Sequence, residues 1–148
     1  VTPLARLARS MFAAAVAAVA PGALVRRIGF TPSGIEFDGC VLCPQGKLHL
    51  VALGKAAPGL AAAFLQRSRR APDSVFVLAP DGAPTPASVA AVTRFAAHPV
   101  PDERGAAATG ELLAALAAAA PDDGVVVLLS GGSSALLAAP LPGVEFDE

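Results

Sequence analysis

The sequence predicts an α/β layered sandwich built on a mostly parallel sheet. Three observations carry that reading. Apolar runs suited to strands alternate with alanine-rich segments of helical period. The runs "KLHLVALG", "SVFVLAP" and "GVVVLLS" are almost continuously hydrophobic, which is the pattern of strands buried on both faces of a parallel sheet. Two of them end in glycine-bearing corners, "LGKAAPG" and "LSGGSSALL", that lead straight into helical sequence. Together these point to a Rossmann-like wind, with ligands expected where strands end and helices begin.

The elements follow in order. "LARLARSMFAAAVAAVAPGA" places Leu4, Leu7, Met11, Phe12, Val16 and Val19 near i, i+3/i+4 spacing, the mark of an amphipathic helix. Its early arginines and alanine-rich stretch loosely resemble a signal peptide, but alanine makes a poor apolar core for one. Pro21–Gly22 reads as a stop. "ALVRRIGF" and "GIEFDGCVLC" read as extended segments, the second turning at residues 44–46. The strand "KLHLVALG" follows, then the helix "AAPGLAAAFLQRSRR", with Pro58 tolerated in its first turn and arginines at its C-terminal end. After the strand "SVFVLAP" comes a proline-rich loop, "DGAPTPAS", a short strand in "AVTRFAA" and a second proline-rich loop, "HPVPDERG". The helix "ERGAAATGELLAALAAAA", capped by Asp102, leads to the strand "GVVVLLS" and a short helix in "SALLAA". No internal repeat is evident.

A chain of 148 residues suits one domain that needs no disulfide staples. The formal net charge is −1, with no tryptophan, no tyrosine and no basic stripe, which argues against nucleic acid as a partner. No run is long and apolar enough to span a bilayer. Cys40 and Cys43 form a C-x-x-C inside a strand-like run, without the second ligand pair a zinc site needs. They read as two packed, reduced thiols, and so as a sign of the cytoplasm.

Chemistry is expected at three corners. In the first, Gly131 and Gly132 can take φ > 0 and present their amides as an anion nest, while Ser130, Ser133 and Ser134 add hydroxyl donors beside a helix N-terminus. A tight strand-to-helix turn capped by serine explains the same residues equally well. In the second, Lys55 follows Gly54 at a strand end. A cation near a helix N-terminus opposes the dipole unless an anion compensates. In the third, His98, Asp102 and Glu103 share a loop stiffened by Pro99 and Pro101. A carboxylate there could hold Mg²⁺ or accept a proton, although capping by Asp102 is the plainer reading. His49, inside a strand, reads as a packed or edge histidine. Neither G-x-x-x-x-G-K-[ST] nor G-x-G-x-x-G occurs.

"LVALGKAAPGLAAAF", "AAHPVPDERG" and "VVVLLSGGSSALLAAPLPGV" resemble, in that order, the signature segments of the glycerate 2-kinase family, the bacterial and archaeal type that carries a MOFRL C-terminal domain. "ARSMFAAAVAAVAPGALV" is similar to that family's first helix. The resemblance covers nearly all of the chain. It implies ATP- and Mg²⁺-dependent phosphorylation of D-glycerate to 2-phosphoglycerate, with a Rossmann-like N-terminal domain and a cleft completed by a C-terminal domain. It implies catalytic roles for Lys55 and Asp102, and substrate or phosphate binding by Gly54, His98, Glu103, Ser130, Gly131, Gly132, Ser133 and Ser134. No residue is assigned as a metal ligand. The partners implied are glycerate and a nucleotide, with a homodimer left open.

Two departures from that family stand out. Ser133 replaces a third glycine, which implies a strained or rearranged loop if the position needs φ > 0. The chain ends at "GVEFDE", so residues 1–148 are expected to be a partial N-terminal domain, roughly the first third of a typical member, without its C-terminal domain and inactive alone. Three other functions are weighed. NAD(P)H-dependent hydroxypyruvate reduction lacks the dinucleotide fingerprint. A serine hydrolase at "GGSSA" lacks the last glycine of a nucleophile elbow, and no histidine follows it. An orphaned, non-catalytic anion-binding domain is the third.

Overall fold

A computed structural model describes residues 2–32, 34–141 and 143–144. Val1 and the closing "EFDE", on which the expectation of truncation rests, lie outside the described residues. In chain order the elements are α1 (Pro3–Ala18), α2 (Pro21–Val25), β1 (Gly29–Phe30), β2 (Ile35–Phe37), β3 (Cys40–Leu42), β4 (Leu48–Leu53), α3 (Ala57–Arg67), β5 (Ser74–Pro80), α4 (Ala87–Ala90), β6 (Thr93–Ala96), α5 (Glu103–Ala117), β7 (Gly124–Leu129) and α6 (Ser133–Leu136).

The four strands of the main sheet, in the order β6-β5-β4-β7, are all parallel. Helices cover both faces, so the molecule is the α/β sandwich that the alternating pattern predicts. β4 lies inside the sheet and is buried along its length except at His49. Leu50 and Ala52 face α3, whose Ala57, Ala61 and Phe64 are completely buried against them. Small alanines let this helix approach the sheet closely, while Phe64 fills the remaining depth and meets Phe30 edge-on, with ring centroids 5.1 Å apart. Val51 and Leu53 point the other way, into a second cluster with Leu78, Ala108, Leu112 and Leu136 beneath α5 and α6.

Several expectations need correction. The stretch "ALVRRIGF" is not extended throughout: Pro21 does not merely stop α1 but opens α2, occupying a position whose N–H needs no partner. "GIEFDGCVLC" folds back on itself as the β2–β3 hairpin, turning at Asp38 and Gly39 with φ of 50° and 78°. With β1 it makes a separate antiparallel sheet. Cys40 and Cys43 are exposed rather than packed: Cys40 opens β3 at the hairpin turn, and Cys43 follows the end of that strand. β7 is also not buried on both faces. It is an edge strand, and Val125, Val127 and Leu129 are 36%, 49% and 65% exposed, since α5 and α6 cover the sheet's other strands instead. α1 is amphipathic as predicted, yet it buries no residue.

Candidate functional site

Strand order decides where a ligand can enter. From β4 the chain lays down β5 and β6 on one side, then returns to place β7 on the other side of β4. The loops after β4 and β7 therefore flank the point where the winding reverses. α3 leaves one loop toward one face of the sheet, and α6 leaves the other toward the opposite face. Open parallel sheets bind ligands in the crevice such diverging loops create.

These two loops are residues 54–56 and 130–132, and hydrogen bonds lock them together. The Lys55 N–H donates to the Gly131 carbonyl at 2.9 Å. The Ala56 N–H donates to Ser130 Oγ at 3.0 Å, and that hydroxyl donates to the Leu53 carbonyl at 3.0 Å. Ser133 Oγ lies 2.6 Å from the Ser130 carbonyl and 3.2 Å from that of Leu53. Gly54 has φ of 105°, and a Cβ there would lie 2.5 Å from Ser130 Oγ. Glycine is required at that position twice over, by backbone angle and by close approach.

Lys55, His98 and Gly132 converge on one point. A Cβ built on Gly132 would lie 3.0 Å from His98 Nε2 and 3.4 Å from Lys55 Cε. The Lys55 side chain is exposed and has no ion-pair partner among the described residues. The N–H groups of Gly131 and Gly132 likewise have no acceptor within the described residues. An unpaired cation thus lies beside Gly132, whose N–H has no acceptor among the described residues.

The hydroxyls differ from expectation. Ser130 and Ser133 spend theirs on backbone carbonyls, so they brace the corner, and Ser134 is left as the exposed hydroxyl. Of the two glycines only Gly132 takes a positive φ, 90°. Ser133 begins α6 without one, so the missing third glycine costs no strain. α6 is only four residues long, too short for a macrodipole of any weight.

The third loop is divided. His98 reaches the crevice, whereas Asp102 caps α5, accepting from the Gly105 N–H at 3.0 Å. Asp102 also takes a 2.7 Å hydrogen bond from Arg104, whose other nitrogens clasp Asp81 at 2.8 and 2.6 Å. Burial pushes the Asp102 carboxyl up, but Arg104 and the Gly105 and Ala97 amides outweigh it and hold it below the usual range. Glu103 is exposed at the first residue of α5. Neither Asp81 nor Arg104 stands out in the sequence. The only available signal is the arginine placed two residues after a capping aspartate.

The family model described as "Domain of unknown function (DUF4147)" matches residues 7–148. The chain belongs to this family. Two solved structures are similar to it. The PH0495 protein from Pyrococcus horikoshii OT3 is 25% identical with a TM-score of 0.82, over 99% of this chain and 33% of that one. A glycerate kinase from Thermotoga maritima is 28% identical with a TM-score of 0.77, over 97% of this chain and 32% of that one. No curated protein matches. The chain therefore spans about a third of the length of these structures, and its homology lies with the N-terminal domain of a broader glycerate-kinase-like fold family.

An apolar cavity of about 740 Å³ lies elsewhere, among α2, the β2–β3 hairpin and β7. None of the expected site residues lines it. Among the described residues no three histidine, cysteine or acidic groups gather as a metal centre, and no helix is long and apolar enough to cross a membrane.

Proposed function

We propose that the chain supplies one wall of a phosphoryl-transfer site, on which ATP phosphorylates the 2-hydroxyl of D-glycerate to give 2-phosphoglycerate. The observation that carries this reading is the meeting of Lys55, His98 and the Gly131–Gly132 corner at the switch point between β4 and β7. Both reactants are anionic, and phosphoryl transfer is mostly positioning and charge neutralisation. Lys55 neutralises a phosphate or the glycerate carboxylate. The free amides and Ser134 hold the second anionic group, and His98 lines the same opening.

Asp102 serves this site by position. Its depressed pKa makes it a weak base at neutral pH, and its bonds to Gly105 and Arg104 fix the loop that presents His98 and Glu103. Mg²⁺, if bound, would supply neutralisation of the phosphate charge, and Glu103 is the residue that would help hold it. The residues present suit a metal held mainly by phosphate, with Glu103 as the available carboxylate, since Mg²⁺ rarely uses an all-protein cage. The opposite wall of the cleft is assigned to a further domain, in keeping with the fraction of the similar structures this chain spans.

An ATP-coupled D-glycerate assay on the complete polypeptide tests this, with NADH-linked hydroxypyruvate reduction run beside it. Glycerate-dependent ADP release is expected. Lys55→Ala is expected to lower kcat on the order of 10³-fold, the scale of removing a cation from a phosphoryl-transfer site. Near-normal turnover in that variant removes Lys55 from the mechanism, and reductase activity alone overturns the assignment.

A further inference from the structure

At the opposite edge of the sheet, the N-terminal ends of three neighbouring strands bring together Ser74, His49 and Asp123. His49 on β4 is the register partner of Ser74 on β5 and of Val125 on β7, so the three side chains share one face of the sheet. His49 Nδ1 lies 2.7 Å from Ser74 Oγ, and His49 Nε2 lies 3.2 Å from Asp123 Oδ2. Asp123 is itself oriented by the N–H groups of Ala120 at 2.9 Å and Lys47 at 2.6 Å.

Those two amides and the imidazole hold the Asp123 carboxyl down to about 2. At neutral pH it is ionised and can only accept. In the neutral imidazole the proton facing that carboxylate sits on Nε2, and the Nδ1 lone pair is then free to accept from the Ser74 hydroxyl. This is the hydrogen-bond polarity of a serine nucleophile, its base and the base's orienting carboxylate, with the two ring nitrogens exchanged relative to the serine-protease arrangement. His49 is largely covered, whereas Ser74 is exposed.

We infer that Ser74, His49 and Asp123 form a relay that makes Ser74 Oγ a nucleophile toward activated acyl and phosphonyl donors. The serine oxygen attacks the electrophilic carbon or phosphorus while its proton passes to His49 Nδ1. The bond to the leaving group breaks, that group departs with the electron pair, and the imidazolium returns its proton to solvent. The product is a Ser74 ester. The three side chains supply proton transfer alone, so the donor must bring its own good leaving group. Val125 and Val127, uncovered on the same face beside His49, offer an apolar shelf for the donor's hydrocarbon part.

A fluorophosphonate probe with an alkyl chain tests this on the wild-type chain, read by peptide mass spectrometry. One adduct on Ser74 is expected, with fluoride released. Ser74→Ala should abolish it. His49→Gln, checked for an unchanged melting temperature, should slow it on the order of 10²-fold. Absence of a Ser74 adduct, or labelling indifferent to His49→Gln, overturns the relay and leaves a cross-strand clamp. None of these outcomes bears on the site at Lys55, which lies on the other edge of the sheet.

Discussion

Gly54 sets the dimensions of the crevice, because a side chain there would meet Ser130 and Gly131 and push its two loops apart, whereas one at Gly132 would meet only the side chains of His98 and Lys55. Gly82 offers an internal control: its φ is also positive, at 74°, but nothing lies within 4 Å of a Cβ built there. Gly82→Ala should therefore cost only backbone strain, ~1–2 kcal/mol. Gly54→Ala should cost clearly more in urea unfolding, because Ser130 and Gly131 must also move. Equal losses would show that the loops are not as tightly joined as described. The residues of this crevice were legible in the sequence because each sits at a strand end, where glycine, lysine and serine interrupt an apolar run. The Arg104–Asp81 clasp and the His49 relay were not. Their partners lie 23, 25 and 74 residues apart, and only the sheet's register brings them together.

At the scale of elements, the parallel strands could be read because β4 and β5 are buried by helices on both sides. The same reasoning failed for β7, whose apolar sequence matches theirs although one of its faces is open. Hydrophobic runs report what a strand can tolerate, and strand order decides what it receives. Val127→Lys, on the open face, should change stability by less than about 0.5 kcal/mol, as surface substitutions do, while reducing self-association of an exposed edge. Phe64→Ala, beneath α3, should cost ~3–5 kcal/mol. Thermal unfolding and sedimentation separate the two effects, and a large loss at Val127 would mean that face is covered. The short turns of α2 and the β2–β3 hairpin escaped the sequence because a few residues give too little periodicity to read.

For the whole molecule, acid should expose how the carboxylates are used. Asp73, Asp81, Asp102, Glu111 and Asp123 all have lowered pKa values. A carboxyl depressed by folding contributes stability above its unfolded value, near 4, and loses that contribution as pH falls through its folded value. Stability should therefore be steady above about pH 5 and decline from there, with Asp123 the last of them to protonate, near 2. Asp123→Asn should flatten the lower part of that slope, and an unchanged slope would mean its bonds to Ala120, Lys47 and His49 persist in the unfolded chain.

The proposed phosphoryl transfer depends on one convergence, that of the Lys55 ammonium and the Gly131–Gly132 amides on a single small anion. The most direct measurement follows the backbone amides of the ¹⁵N-labelled chain by NMR during titration with 2-phosphoglycerate. Saturable shifts are expected together at Lys55, Gly131, Gly132 and Ser134, weakened about tenfold or more by Lys55→Ala, as for loss of a charge-assisted bond. Shifts that spare this corner, or that persist at full affinity without the lysine, would contradict the account.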